Sequence, residues 1–581
     1  MQFIWPDKTS EAIAGTCPVC ADAGPHAPVL LLPAVGPGGA DWQIVECPNC
    51  ASRFSTDRAG ADYRGDEAPD TTFVHYYMEQ GAGLRSMLEP LGFMEPGQGR
   101  MLEIGGGFGF PSDYVQTVLG WTAKGYDPSG MAVLGRDYLG LDITRDYWTT
   151  DTPLTEPFDV AYASEVIEHI PEPAPFLAAM RHAVGDKGIV ALTTPNGAAL
   201  NPGTTPGMLI PIASPGLHLT LFSAKGLEMA LNEAGFANVR VEVHGTTLRA
   251  LAANTSLPPL RNLDDERYID YLRRRIATSD MVAPLLSGLR YRLLKELVNA
   301  GRNDEALALY AEIAVSMRLR FGIDIEKPEG LQVPDAGIDG RGWLALLPGN
   351  ITGLLYFRAV LANNAEADAR AAALYAGQAA LIGASLRRAI RPQGIEDGET
   401  ELLSMAAIRL HLAASIGIGG NAAPLLTMIE RGGDDGLLLP LSFRRQLRQA
   451  VIDDLRATRH PNILWQGLLP QEPETLDELT LLRRIIQEGI PPSIPPAFAA
   501  IEAAEDTATV RAAFWSIWTT PRADEAPATI SHARKLTLIR LVLLGAHGEA
   551  GLLFTAWGDP SLAEDASVAT ALSIVAAATQ A

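Results

Sequence analysis

The stretch MLEIGGGFGF at residues 101–110, followed by GYDPSG at 125–130, decides how this chain folds. An apolar run ends in an acid, Glu103, and glycines then alternate at Gly105, Gly107 and Gly109. The pattern predicts a buried parallel strand that runs into a flat turn, where backbone without side chains lets a ligand come close. A second strand ending KGYD sets Asp127 beside the same crevice, where a carboxylate can accept from both hydroxyls of a ribose. Together these features predict a nucleoside-binding α/β unit, and the spacing narrows its kind. A dinucleotide fold needs G-x-G-x-x-G, but the place of the third glycine holds Phe110. No Lys-Ser or Lys-Thr pair follows the glycines, which excludes a P-loop.

The acid-x-G-x-G-x-G pattern resembles motif I of the class I S-adenosylmethionine (SAM) dependent methyltransferases. The resemblance continues through FDVAYASEVIEHIPEP (158–173), DKGIVALTTPN (186–196) and LHLTLFSAKGLEMALNEAGF (217–236), in the family's order. It implies an α/β doubly wound, Rossmann-like methyltransferase domain with SAM as cofactor. Glu103 would then lie near the methionine end of the cofactor and Asp127 on its ribose, with Gly105, Gly107, Gly109 and Ser164 lining the same site. A fold of this kind that has lost its ligand, or a nicotinamide enzyme with an unusual turn, stays open at this point.

Methyl transfer from a sulfonium is an in-line displacement, so a protein must place the acceptor and, where needed, take its proton. The address for that base is the carboxyl end of the strand FDVAYA, which continues Ser164-Glu165-Val166-Ile167-Glu168-His169. His169 has the side chain whose ordinary pKa suits the task, and it is the expected base. Glu165, Glu168 and His169 also resemble the E-x-x-E-H arrangement that holds a divalent cation in ubiquinone-biosynthesis O-methyltransferases and small-RNA 2′-O-methyltransferases. Two hard oxygens and an imidazole could hold Mg²⁺ or Zn²⁺ as a catalytic cation there. The same string also occurs simply because acids favour a helix start. His218 could return to the site as a second base or ligand, although an ordinary core or surface histidine is the expectation. The segment from Asn196 to Ser214, rich in Pro, Gly, Asn and Thr, reads as a mobile loop over the pocket. Tyr76 and Tyr77, in FVHYYMEQGAGLRSMLEPLGF (73–93), have helical spacing and are expected in the core, in a helix that covers the cofactor pocket in the family.

All four cysteines precede residue 51, as Cys17-Pro-Val-Cys20 and Cys47-Pro-Asn-Cys50. Two C-x-x-C knuckles separated by a short loop suit a tetrahedral Zn²⁺ site with no open position, hence a structural one. Redox or disulfide use is the rival, and the lack of a signal peptide at MQFIWPDKTS argues against disulfides. Such a zinc ribbon ahead of a SAM domain resembles that of sugar C-methyltransferases acting on nucleotide-activated deoxysugars.

With 581 residues the chain should hold several domains. The expected division is a zinc ribbon at 1–60, the methyltransferase domain at 61–250, a helical domain at 251–395 and a second one at 396–581. Residues 51–70 read as a linker, VRVEVHG (239–245) as the strand that closes the α/β domain, and the region beyond as all-α. LLKELVNAGRNDEALALYAEI (293–313) resembles a tetratricopeptide-type hairpin, with Gly301 at its turn and Ala306, Ala308 and Tyr310 on the packing helix. Residues 354–381 echo it, Ala371 and Tyr375 matching Ala306 and Tyr310 at an offset without a clean repeat period. Breaks are expected around Arg391–Thr400 and Gln471–Pro496. The net charge of −22 speaks against broad nucleic-acid binding, and no apolar run is long enough for a membrane span. The expectation is a cytoplasmic enzyme that methylates oxygen or carbon of a small-molecule or glycan-linked sugar acceptor. The alternatives are an assembly protein whose helical half recruits a protein partner, and a metal-dependent RNA 2′-O-methyltransferase.

Overall fold

Short apolar stretches at the amino terminus become strands because each hides one face. β1 (Ala27–Leu32) and β2 (Trp42–Glu46) pair antiparallel, and β3 (Arg53–Ser55) adds to β2. The computed structural model describes residues 3–6, 10–65, 71–81, 84–204, 206–278, 281–393, 395, 397–417, 443, 446, 494–518, 526–557 and 560–580. Most of the break expected around Gln471–Pro496 lies outside the described residues. Two compact units are present, Met1–Leu361 with Leu381–Ser404, and Ala362–Ala380 with Met405–Ala581.

The first unit is built on a doubly wound sheet. Its strands are β4 (Arg100–Ile104), β5 (Thr122–Tyr126), β6 (Ile143–Thr144), β7 (Val160–Ser164) and β8 (Ile189–Pro195), with β9 (Thr220–Leu221) set apart, and then β10 (Asn238–His244) and β11 (Thr247–Ala253). The spatial order is β10-β11-β8-β7-β4-β5-β6, parallel from β8 to β6. β4, β7 and β8 are almost wholly buried, as parallel strands covered on both faces must be. Connections leave β4 and β7 in opposite senses, so a crevice opens at their carboxyl ends. The edge differs from the sequence reading. VRVEVHG does not close the sheet alone; Gly245, at φ +58°, turns it into a hairpin with β11, and β11 lies inside, between β10 and β8.

Two further expectations are corrected. Residues 51–70 are not a free linker, since β3 pairs with β2 on one side and with β9 on the other. This stitches the cysteine module onto the methyltransferase-like domain. The segment Asn196–Ser214 is not a loop over the pocket either. It contains the helix Pro206–Ala213, whose Leu209, Ile212 and Ala213 pack with Leu30, Leu32 and Trp42 of the amino-terminal strands. Its Gly and Pro content concealed enough apolar residues to need a partner.

Beyond Ala253 the first unit is helical. The helices Ala283–Asn299 and Asn303–Phe321 form the expected hairpin, with Gly301 left-handed at its turn and Ala306 and Tyr310 buried. Ala308 is exposed, contrary to expectation. In the second unit Ile501, Val510, Phe514, Leu541, Leu553 and Trp557 form a core among the helices of the described residues between Ile494 and Gln580. Among the described residues no single helix is long and apolar enough to cross a membrane.

The helix Thr71–Gly81 is held by a buried polar anchor. Glu79 pairs with Arg320 at 2.8 Å and accepts from the Gly349 amide at 2.7 Å. Gln80 donates to Gly349 O and Asp397 Oδ2, and the Tyr76 hydroxyl also donates to Asp397. Breaking a buried pair on one side costs about 3–5 kcal/mol, and the lower end applies because Arg320 keeps some water contact. Glu79→Ala should therefore lower the unfolding free energy of the first unit, read from urea denaturation, by an amount of that order. Glu79→Gln, which keeps one acceptor for Gly349, should cost less.

Candidate active site

The loop after β4 turns backward at three points. Gly105, Gly107 and Gly109 have φ of +68°, +55° and +81°, a region that side chains disfavour. A Cβ at Gly105 would come within 2.6 Å of Val166, and one at Gly109 within 2.8 Å of Leu141, whereas Gly107 faces nearly open space. Backbone conformation and packing thus demand these glycines at least as much as ligand approach does. Glu103 lies beneath the loop. Its Oε2 accepts from the Ser112 amide at 3.0 Å and from the Ser112 hydroxyl, at the start of the helix Phe110–Tyr114. Burial raises its pKa to about 7 against those hydrogen bonds, and Asp127 and Asp113 add to the rise. Its carboxyl faces the helix start, where it supports the loop.

Asp127 follows β5 directly and is the polar centre of the crevice. Its Oδ2 accepts from the Gly107 amide at 2.8 Å, and its Oδ1 accepts from the amide and hydroxyl of Ser129 at 2.8 and 2.5 Å. Carboxylate oxygens have about four lone-pair sites in all, so one remains on Oδ2 for a ligand hydroxyl. Beside it opens a cavity of about 250 Å³, lined by Gly105, Asp127 and Ser129 on one side, Tyr147 on a second, and Glu165 and His169 on a third. Tyr77 stands near the glycine loop, its ring stacked on Phe110, and burial with Glu103 and Asp127 nearby raises its phenol pKa. Tyr76 instead joins the polar anchor described above.

The strand end after β7 separates the residues the sequence had grouped. Ser164 does not line the cavity; its hydroxyl lies 2.9 Å from the Thr193 hydroxyl, which donates to Glu165 Oε1 at 2.9 Å. Glu165 has φ +54°, a strained conformation for a residue with a side chain, which costs of order 1–3 kcal/mol and recurs at functional sites. It lines the cavity, and burial raises its carboxyl pKa against the hydrogen bond from Thr193. It stands apart from the trio that does converge: Glu168, His169 and His218, whose candidate ligand atoms all lie within 4.8 Å of one another. His218, expected as an ordinary core or surface histidine, is buried beside Glu168 and His169.

Glu168 is fully buried. Its Oε2 accepts from Thr194, while Oε1 has no hydrogen-bond partner and lies 3.9 Å from His169 Nε2 and 4.0 Å from His218 Nε2. His218 Nδ1 is 2.8 Å from the Ile212 carbonyl and must donate to it, which leaves Nε2 with its lone pair. Burial lowers the pKa of His169 to about 4 and that of His218 to about 3, so both rings are neutral at pH 7. Burial likewise pushes the Glu168 carboxyl up. His169 is therefore a weaker base than expected; its Nδ1 is 2.9 Å from the Tyr63 hydroxyl, and Nε2 is turned to Glu168. Two neutral imidazoles and an orphan carboxylate oxygen form a donor set of the kind that divalent metals take. The residues present fit a cation. Tyr63 and Thr194 were missed in the sequence. The polar pair in ALTTP at the end of an apolar strand was a signal for Thr194, and no local signal marked Tyr63.

The cysteine module repeats one turn twice. Ala21 N donates to Cys17 O and Ala51 N to Cys47 O, with Ala21 and Ala51 both left-handed. Cys17 Sγ is 3.7 Å from Cys50 Sγ, and Cys20 Sγ is 3.6 Å from Cys47 Sγ. A disulfide would need about 2.05 Å. Sulfurs at 2.3 Å from a tetrahedral zinc stand about 3.8 Å apart, close to what is observed. The four thiols therefore fit a structural Zn²⁺. Elemental analysis should find zinc in the purified chain, and Cys47→Ser should lower its content and melt the β1–β3 sheet at a lower temperature, as read by limited proteolysis within residues 1–60.

Residues 74–241 match the family model described as a methyltransferase domain. No curated protein matches the chain. Among solved structures, a SAM-dependent methyltransferase from Archaeoglobus fulgidus is 15% identical, covering 32% of this chain and 99% of its own, with a TM-score of 0.27. One from Aquifex aeolicus is 17% identical over 32% of this chain and 98% of its own, with a TM-score of 0.25. Human N-acetylserotonin methyltransferase in complex with SAM is 15% identical over 31% and 56%, with a TM-score of 0.26. The family match, and not these distant likenesses, carries the assignment. The glycine loop, the crevice at the sheet's switch point and that match all fall on one stretch: residues 74–241 match a methyltransferase-domain family and fold in a Rossmann-like manner.

Proposed function

We propose that this protein is a SAM-dependent methyltransferase that acts on oxygen or carbon of a small-molecule or glycan-linked sugar acceptor. The observation that carries the reading is Asp127, held at the end of β5 by the glycine loop and lining the cavity with an acceptor site to spare. Bound SAM supplies a methyl group on a positively charged sulfur. Asp127 would hold the ribose hydroxyls, the glycine loop would let the cofactor lie against backbone, and Tyr77 would cover the loop. Glu165 faces the cavity as a carboxylate able to accept from an ammonium or a hydroxyl. Orientation of this kind supplies much of the barrier reduction in displacement reactions. A sugar acceptor is favoured by the cysteine module's likeness to that of sugar C-methyltransferases. The net charge of −22 disfavours RNA.

A second reading concerns the cluster at β7. The unpartnered Glu168 oxygen between two imidazoles favours a divalent cation held by Glu168, His169 and His218, rather than His169 as a free base. Such an ion would polarise an acceptor oxygen as a Lewis acid. The Ile212 carbonyl would orient His218, as outer-shell partners of ligating histidines do.

Asp127→Ala should weaken SAM binding by about 1–3 kcal/mol, the cost of losing charge-assisted hydrogen bonds. Titration calorimetry reads this directly, and an unchanged dissociation constant would refute the ribose assignment. For the cation, manganese titration followed by electron paramagnetic resonance should show one bound ion in the zinc-loaded chain and none in Glu168→Gln. Equal binding by both would return the cluster to a purely structural role.

A further inference from the structure

Residues 56–65, which follow the cysteine module, run beside the mouth of the cavity and are held there at several points. β3 pairs with β9. Arg58 donates to the Leu219 carbonyl at 2.7 Å, to the Thr220 hydroxyl at 3.0 Å, and to the Pro171 carbonyl. Gly60 lies so close to Pro171 that an added Cβ would stand 2.7 Å from that ring. Two consecutive side chains then meet residues that line the cavity, Tyr63 from within the lining and Arg64 from outside it. The Tyr63 hydroxyl is 2.9 Å from His169 Nδ1, and the two rings meet edge to face at 5.9 Å. Arg64 donates to Asp146 Oδ1 at 2.5 Å, and its guanidinium lies 4.7 Å from the centre of the Tyr147 ring.

The positions of these partners give the segment its meaning. His169 follows β7, and Asp146 and Tyr147 follow β6, so they lie on opposite sides of the β4 and β5 strand ends that carry the glycine loop and Asp127. All of Tyr63, His169, Asp146 and Tyr147 line the same cavity. A strap that touches both walls bridges the opening between them. Both of its contacts are weak taken singly: an exposed ion pair and one hydrogen bond. Its upstream end is firmly tied by a strand pairing and by Arg58.

We propose that Tyr63 and Arg64 form a two-point latch across the mouth of the cofactor pocket, and that the four-cysteine module is the anchor from which the latch is held. The proposal rests on the reading of this pocket as the SAM site. It makes the zinc module part of cofactor exchange as well as of stability. A latch has a kinetic signature that an ordinary contact lacks. It must open for entry as well as exit, so its removal raises both rate constants and changes the affinity less than either. A residue that merely touches the bound cofactor changes departure alone.

Stopped-flow binding of SAM to the full zinc-loaded chain tests this. In the double variant Tyr63→Phe with Arg64→Ala, association and dissociation should each speed up roughly tenfold, as expected for the loss of one surface ion pair and one hydrogen bond. Arg58→Ala, which loosens the strap without touching the cavity, should move both rates in the same direction. Raising the salt concentration should speed exchange in the wild-type chain, because the Arg64–Asp146 pair is open to screening, and should not do so in Arg64→Ala. This last arm needs no destabilised variant. Unchanged rates in the double variant, or faster dissociation with unaltered association, would overturn the latch while leaving the cofactor assignment intact. A wild-type chain that fails to bind SAM would overturn both.

Discussion

Four carboxyl groups, those of Glu103, Asp127, Glu165 and Glu168, gather where β4, β5 and β7 end, and no lysine or arginine is among the residues lining the cavity beside them. Such crowding is costly unless each charge is hydrogen-bonded or neutralised. Glu103 is satisfied by Ser112 and Asp127 by the glycine loop and Ser129. Glu165 has Thr193, and Glu168 has Thr194 on one oxygen and nothing on the other. Burial raises the carboxyl pKa of Glu103, Glu165 and Glu168, so ionising them creates a demand for positive charge. A sulfonium in the cavity and a divalent cation beneath it would each answer a part of it, and this makes one electrostatic argument of the two halves of the proposed site.

The rest of the first unit serves to hold that crevice in shape. Asp127 ties the loop after β4 to the end of β5 through a single amide, so the two strands that make the pocket share a hydrogen bond across their turn. The helix Thr71–Gly81 is pinned through Glu79 and Gln80 to residues of the helical region, and the same helix brings Tyr77 over the glycine loop. On the other side the amino-terminal sheet borrows β9 from the α/β domain. Elements far apart in the chain thus meet around the glycine loop, and the helical region acts as support for the helix Thr71–Gly81.

The parts legible in the sequence were those whose chemistry is local. The three glycines require a turn within five residues, Asp127 stands one residue beyond a strand, and each cysteine pair makes its own knuckle. The cluster at β7 was legible only in part. Spacing placed Glu165 and Glu168 together with His169, but a left-handed backbone at Glu165 turns its side chain toward the cavity and Thr193. His218, about fifty residues on, takes its place in the cluster. The Pro-rich segment before Ser214 misled because a short apolar run reads equally well as helix, strand or loop until its partner is known.

By itself, then, the sequence determined a doubly wound domain with a nucleoside crevice, two thiolate knuckles suited to zinc and a helical remainder, because strand–turn–helix patterns and ligand spacings are properties of neighbouring residues. Only the tertiary structure decided which histidines face Glu168, that the segment after the cysteines runs beside the pocket, and that β9 closes another sheet. Those outcomes depend on pairings between residues distant in the chain, such as Glu168 with His218, Tyr63 with His169 and Arg58 with Leu219. Their energies come from burial and geometry that no local window contains.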